Sequence, residues 1–316
     1  MARFCTVLCI AFLFFSLFVS GVFSASFTFT NNCGYTVWPG LLSGAGTSPL
    51  ETTGFALNQG ESLTITAPQS WSGRFWGRTL CTTDSTTGKF TCGTGDCGSG
   101  TMECSGSGAM PPATLAEFTL DGSGGMDFYD VSLVDGYNLP LLVVPQGGSG
   151  TCSATGCLVD LNSACPSSLK VTLATDSSTE GSESVACKSA CEAFDTPEYC
   201  CSGEYGSPNT CKPSSYSQFF KNACPRAYSY AYDDATSTFT CTDASYTITF
   251  CPSTTSEKSS GGGYSDAATL PLVNNTMVFS GADQASSASH ALPRVSQHGS
   301  LLIILAFSVL SLLRLL

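Results

Sequence analysis

Four aspartates, Asp121, Asp127, Asp130 and Asp135, crowd one short stretch, while the whole span from Cys33 to Cys251 contains no histidine. Both histidines, His290 and His298, lie beyond the last cysteine. A histidine-dependent triad, a Cys-His pair and a His-ligated zinc are therefore excluded from this span, and any chemistry falls to carboxylates. Carboxylates crowded in a partly desolvated cleft raise one another's pKa, so one stays protonated while another is ionised. Glycosidases use that pairing. Sugar binding needs less: acceptors for hydroxyls, and aromatic faces such as Tyr137 or Tyr232 for the C–H surface of the ring. Asp130 and Asp135 are five apart, so a continuous strand would point them to opposite faces. Asp135-Gly136 reads as a turn, which bends the chain and brings both acids to one cleft.

The elements that must position these acids read mainly as strands. Ser26–Thr30, Ser62–Thr66, Phe118–Leu120 and Tyr246–Phe250 alternate apolar and polar residues, with Gly, Pro, Asn and Asp between them. That pattern predicts an antiparallel sandwich or barrel. Residues 151–225 differ: nine cysteines and only two short helical candidates, Ser184–Phe194 and Tyr216–Ala223. This stretch reads as a loop-rich lobe held by disulfides. Sixteen cysteines from Cys33 to Cys251 imply an oxidised framework in a secreted protein. Cys200 and Cys201 are neighbours, with Cα atoms about 3.8 Å apart, too close for an unstrained bridge, so each takes a different partner. Spacing leaves the remaining connectivity open.

The two ends carry addresses. Met1-Ala2-Arg3, the apolar run Phe4–Val19 and Val22-Phe23-Ser24 predict a signal peptide over 1–24. The folded domain is placed at 25–252 and a Ser/Gly-rich flexible stalk at 253–287, with a glycosylation sequon at Asn274. Small residues around Ser287, a polar spacer and the apolar run Leu301–Leu313 predict a C-terminal GPI-anchor signal over 288–316, with Ser287 as attachment residue. The expected location is the outer face of the plasma membrane, held by the lipid anchor in the outer leaflet, or the cell wall and apoplast. Residues 25–252 hold 21 acids against eight bases, a net charge of −13 that argues against nucleic acid or anionic lipid as partner. No metal and no cofactor are expected, and the protein reads as a monomer.

Gly88-Lys89-Phe90-Thr91-Cys92-Gly93-Thr94-Gly95-Asp96-Cys97, continuing to Cys104, resembles the signature of the thaumatin and osmotin family of plants. The likeness runs on through Pro111–Phe118, Asp127–Ser132, Val134–Pro140, Glu198–Cys201 and Tyr228–Asp234, covering essentially all of 25–252. It implies a β-sandwich core, a disulfide-rich lobe and a small cross-linked hairpin region. It also implies a pairing: Cys33–Cys251, Cys81–Cys92, Cys97–Cys104, Cys152–Cys241, Cys157–Cys224, Cys165–Cys187, Cys191–Cys200 and Cys201–Cys211. By motif position it places Arg74, Glu117, Asp130, Asp135 and Asp233 around a cleft between sandwich and lobe, to which Tyr137 adds an aromatic face. Three functions are compatible with the resemblance. The first is a pathogenesis-related cell-surface defence protein that binds β-1,3-glucan or other cell-wall polysaccharide. The second is a weak endo-β-1,3-glucanase with Glu117 as acid and Asp130 or Asp135 as nucleophile or base. The third is a non-enzymatic ligand of a receptor protein, or an inhibitor of microbial hydrolases.

Overall fold

Strict alternation in Ser26–Asn31 sends Phe27 and Phe29 to one face, where both are fully buried. In the computed structural model, which describes residues 24–173 and 183–253, this segment is strand β1. Residues 1–23, 174–182 and 254–316, with Asn274, Ser287 and the apolar tail, lie outside the described residues. The other strands are β2 (Trp38–Ser43), β3 (Ser62–Thr66), β4 (Ser72–Thr83), β5 (Phe90–Thr94), β6 (Leu115–Thr119) and β7 (Asp127–Ser132). They continue with β8 (Leu141–Ser149), β9 (Thr155–Cys157), β10 (Lys170–Leu173), β11 (Glu183–Cys187) and β12 (Phe239–Phe250).

One layer runs β3-β1-β12-β8-β9 and the other β2-β4-β6-β7, so the fold is mainly β. β12 joins the two layers. Its first residues, Phe239–Cys241, pair with β7, and Thr242–Phe250 pair with β8. Asp243 sits just past the changeover with a left-handed φ of 54°, between the pairs Thr242–Ser149 and Ala244–Gly147, whose register runs on unbroken. One pair departs from the antiparallel expectation: β1 and β12 run parallel. Their shared direction brings Asn31 beside Phe250, so Cys33 and Cys251 meet just beyond them with Cα atoms 4.9 Å apart.

Between the layers lies an aromatic core. Phe27 packs on Phe75 at 4.7 Å and on Phe118 at 4.8 Å, and Phe118 reaches Tyr246 at 5.0 Å. Trp71 and Tyr129 complete it. Eight bridges form, with the pairing that the resemblance implies, and Cys200 and Cys201 do take different partners.

The lobe contains helices α1 (Ala190–Phe194), α2 (Pro197–Cys200) and α3 (Ser215–Ala223); α4 (Asp234–Ser237) follows them, just before β12. The candidate Tyr216–Ala223 falls inside α3, where Ser214 and Ser217 cap one another in a capping box. The candidate Ser184–Phe194 is only partly helical. Its first half is β11, paired with β10, because Cys187 exchanges two 2.8 Å backbone hydrogen bonds with Tyr137 and is held extended. The helix waits until Ser189, whose Oγ accepts from Glu192 N at 3.1 Å as an N-cap.

Candidate binding cleft

Arg74 on β4, Glu117 on β6 and Asp130 on β7 occupy directly paired positions across three neighbouring strands. Their strand neighbours Phe75, Ala116 and Val131 are fully buried, so the three polar side chains stand in a row on the outer face. Leu115 and Ser132, paired two residues further along, continue that face. β7 ends at Ser132 and a turn follows, closed by Gly136 N donating to Leu133 O at 3.0 Å. Gly136 has φ 83°, and a Cβ there would meet Cys187 O and Pro112 Cβ at 2.7 Å, so only glycine fits. This turn swings Asp135 to the same cleft as Asp130, where a continuous strand would have sent it to the other face.

The opposite wall comes from the segment after the lobe. Tyr228 N donates to Val131 O and Tyr228 O accepts from Leu133 N, both at 2.8 Å, which lays this segment along β7. Tyr228 Oη donates to Asp234 Oδ1 at 2.9 Å and also meets the Thr238 hydroxyl. The resulting open cleft, about 320 Å³, places Arg74, Glu117 and Asp130 opposite Asp135, Tyr228 and Asp234.

Two expected members are elsewhere. Tyr137 is fully buried, with its hydroxyl donating to Val159 O at 3.0 Å, so no sugar can stack on it. Tyr228 is the aromatic on the wall, and Tyr232 does not line it either. Asp233 also turns away: its Oδ2 lies 2.8 Å from Lys221 Nζ and accepts from Ser229 N and Oγ at 3.0 Å. Its neighbour Asp234 takes the cleft position. The adjacent acids in Tyr228–Asp234 are equivalent in sequence, and only the backbone course of the segment separates their roles.

Burial, reinforced by Glu117 and Asp234, pushes the Asp130 carboxyl up to about 8. Its Oδ2 is buried without a hydrogen-bond partner among the described residues. Burial also raises Glu117; Arg74, 3.8 Å away, opposes this and Asp135 adds to it. That ion pair is substantially exposed on both sides and worth at most about 1 kcal/mol. Burial therefore favours the protonated form of both acids, most strongly at Asp130, where no base opposes it as Arg74 does at Glu117. On the lobe, burial raises Glu192 to about 7, with Lys188 at 3.9 Å opposing and Asp135 adding. In sequence Glu192 is an unremarked i,i+4 partner of Lys188, and nothing there marks it as part of this carboxyl group. The arrangement offers a protonated acid, several carboxylate acceptors, one guanidinium donor and one phenol. Among the described residues no group of acids, cysteines or histidines is placed to hold a metal ion.

The Thaumatin family model matches residues 31–252. The chain is 61% identical over 252 residues to Thaumatin-like protein 1 of Arabidopsis thaliana, covering 77% of this chain and 93% of that protein. It is 56% identical over 243 residues to Pathogenesis-related protein 5 of the same plant, covering 77% and 97%. Among solved structures, the crystal structure of a laminaripentaose-producing β-1,3-glucanase in complex with laminaritetraose aligns over 73% of this chain and 99% of that one. That alignment has 14% identity and a TM-score of 0.49, a likeness that carries no reading of the cleft. On the matched span and these identities, the chain belongs to the Thaumatin family.

Proposed function

We propose that this thaumatin-like, pathogenesis-related defence protein holds β-1,3-glucan-type cell-wall polysaccharide in the cleft between the sandwich strands and the segment that follows the lobe. The observation that supports it is the row Arg74, Glu117, Asp130 facing Asp135, Tyr228 and Asp234 across an open space of about 320 Å³. Sugar hydroxyls need acceptors and donors at fixed spacing, and paired strands supply them about 5 Å apart. Tyr228 gives a ring face at one edge. Retention of the domain on insoluble β-1,3-glucan is the direct test. Wild-type protein is pulled down and Asp135→Ala is retained less; no retention of wild type overturns the reading.

A second reading, weak endo-β-1,3-glucanase, is favoured by Asp130, because a carboxyl held protonated at neutral pH beside other acids is an acid catalyst in waiting. It predicts reducing ends released from laminarin and lost in Asp130→Asn. Equal release by that variant rejects it. The apolar tail and the small residues near Ser287 support display at the outer face of the plasma membrane by a GPI anchor. Release by phosphatidylinositol-specific phospholipase C is the expected result, and retention favours a membrane-embedded tail.

A further inference from the structure

We propose that Asp233 and Lys221 are positioning residues for the cleft: their ion pair fixes the segment that presents Tyr228 and Asp234 to Asp130. The inference rests on the cleft being the binding site, as proposed above. Lys221 lies on α3, outside the cleft, and its ammonium has three donors. All three are used: Asp233 Oδ2 at 2.8 Å, Ser237 Oγ at 2.8 Å and Ala227 O at 3.1 Å. One side chain thus grips the residue before the segment and a residue after it. Asp233 closes the same segment from inside, accepting from Ser229 N and Oγ through Oδ2 and from Thr236 Oγ1 at 3.2 Å through Oδ1.

The geometry separates this pair from a solvated surface ion pair, which contributes little. Their side chains are 24% and 11% exposed, and every hydrogen-bonding group of the ammonium is satisfied within one short stretch. The gripped segment is also a partition. Tyr228 and Ala231 face the cleft, whereas Ser229 and Tyr230 face a smaller cavity of about 30 Å³ in the lobe. A shift of the segment therefore moves one cleft wall bodily, taking Tyr228 and Asp234 with it.

A double-mutant cycle decides between positioning and direct contact. If Asp233 were a glucan ligand, Lys221→Met would release its carboxylate and leave affinity equal or higher. If the pair positions the wall, Lys221→Met and Asp233→Asn each weaken glucan binding about tenfold, and the double variant is no weaker than either one. Lys221→Arg, which keeps the charge and the donors, restores most of the affinity. A second readout needs no ligand. Asp130 is faced by Glu117, Arg74, Asp135, Tyr228 and Asp234, and Asp234 is one cause of its raised titration. Carboxyl ¹³C NMR of folded Lys221→Met is expected to show Asp130 titrating lower, by about as much as in Asp234→Asn. Unchanged Asp130 titration with undiminished glucan affinity overturns the proposal. If wild type does not bind glucan at all, the glucan reading fails while the Asp130 titration still decides this one.

Discussion

The sandwich and the lobe solve the same stability problem by different means. Among the largest fully buried side chains, Trp71, Phe75, Tyr129, Tyr246, Phe27 and Phe29 belong to the sandwich, and only Phe220 belongs to residues 151–225. The sandwich loses entropy on folding and recovers it by burying aromatic rings, each hiding about 150–250 Å². One bridge, Cys33–Cys251, spans its ends across a sequence separation of 218. The described residues of the lobe bury few large side chains, and those that are buried, such as Leu161, Leu169 and Phe220, join the same core. The lobe's bridges Cys165–Cys187, Cys191–Cys200 and Cys201–Cys211 close separations of only 22, 9 and 10, restricting the unfolded chain instead of filling a folded interior. The cleft opens on the sandwich, with a row of strand residues on one side and the turn after β7 and the segment that follows the lobe on the other.

That contrast breaks most forcefully at Phe75. It packs against Phe27 at 4.7 Å, Phe29 at 5.0 Å and Trp71 at 5.1 Å, so Phe75→Ala opens a cavity at the centre of the sandwich. The expected cost is about 3–5 kcal/mol, and thermal unfolding by circular dichroism falls by roughly 10 °C or more in a single transition. The lobe responds differently. Replacing Cys201 and Cys211 together by Ser removes a ten-residue closure worth about 2–3 kcal/mol. The expected outcome is early proteolytic cleavage near residues 201–211, with the near-ultraviolet signal of the aromatic core retained. Cooperative loss of both regions in that variant would show that the lobe is not held locally.

Strands were legible because their signal is local. Phe27 and Phe29 in β1 and the run Tyr246–Phe250 in β12 alternate regardless of what they pair with, and Gly136 marks the turn that unites Asp130 and Asp135. What the sequence hid was long-range. The parallel pairing of β1 with β12 depends on where the two ends of the domain meet, which no local pattern encodes. Tyr137 reads as a surface aromatic beside a polar turn, yet two backbone hydrogen bonds to Cys187 carry it into the core. Nothing local marks Arg78 for the interior, yet it is fully buried, its guanidinium donating to the carbonyls of Trp38, Pro39 and Met102. Asp233 and Asp234 are interchangeable until Lys221 claims one of them. Resemblance supplied the row of cleft residues; the packing decided which of them reach it.

The finest comparison is between the two regions' buried carboxyls, Asp130 on the sandwich and Glu192 on the lobe. Both are raised chiefly by burial, Asp130 to about 8 from 3.8 and Glu192 to about 7 from 4.5. A raised acid binds more protons in the folded state than in the unfolded one, so stability falls as pH rises between the two values. The contribution is complete below about pH 4 and is lost by about pH 8 for Asp130 and pH 7 for Glu192. Asp130→Asn and Glu192→Gln cannot ionise and should each flatten the decline. Because both groups are partly open to solvent and Lys188 already offsets Glu192, the gains are small. They should amount to about 1–2 kcal/mol for Asp130→Asn at pH 8, or roughly 2–8 °C, and less for Glu192→Gln. At pH 3.5 neither variant should exceed wild type. The midpoints then order the two regions: the sandwich wall, backed by Glu117 and Asp234, loses its proton at higher pH than the lobe, where Lys188 helps to expel it. Identical pH profiles for the two variants would mean that the acids titrate as one group across the cleft, and that the boundary between sandwich and lobe is not an electrostatic one.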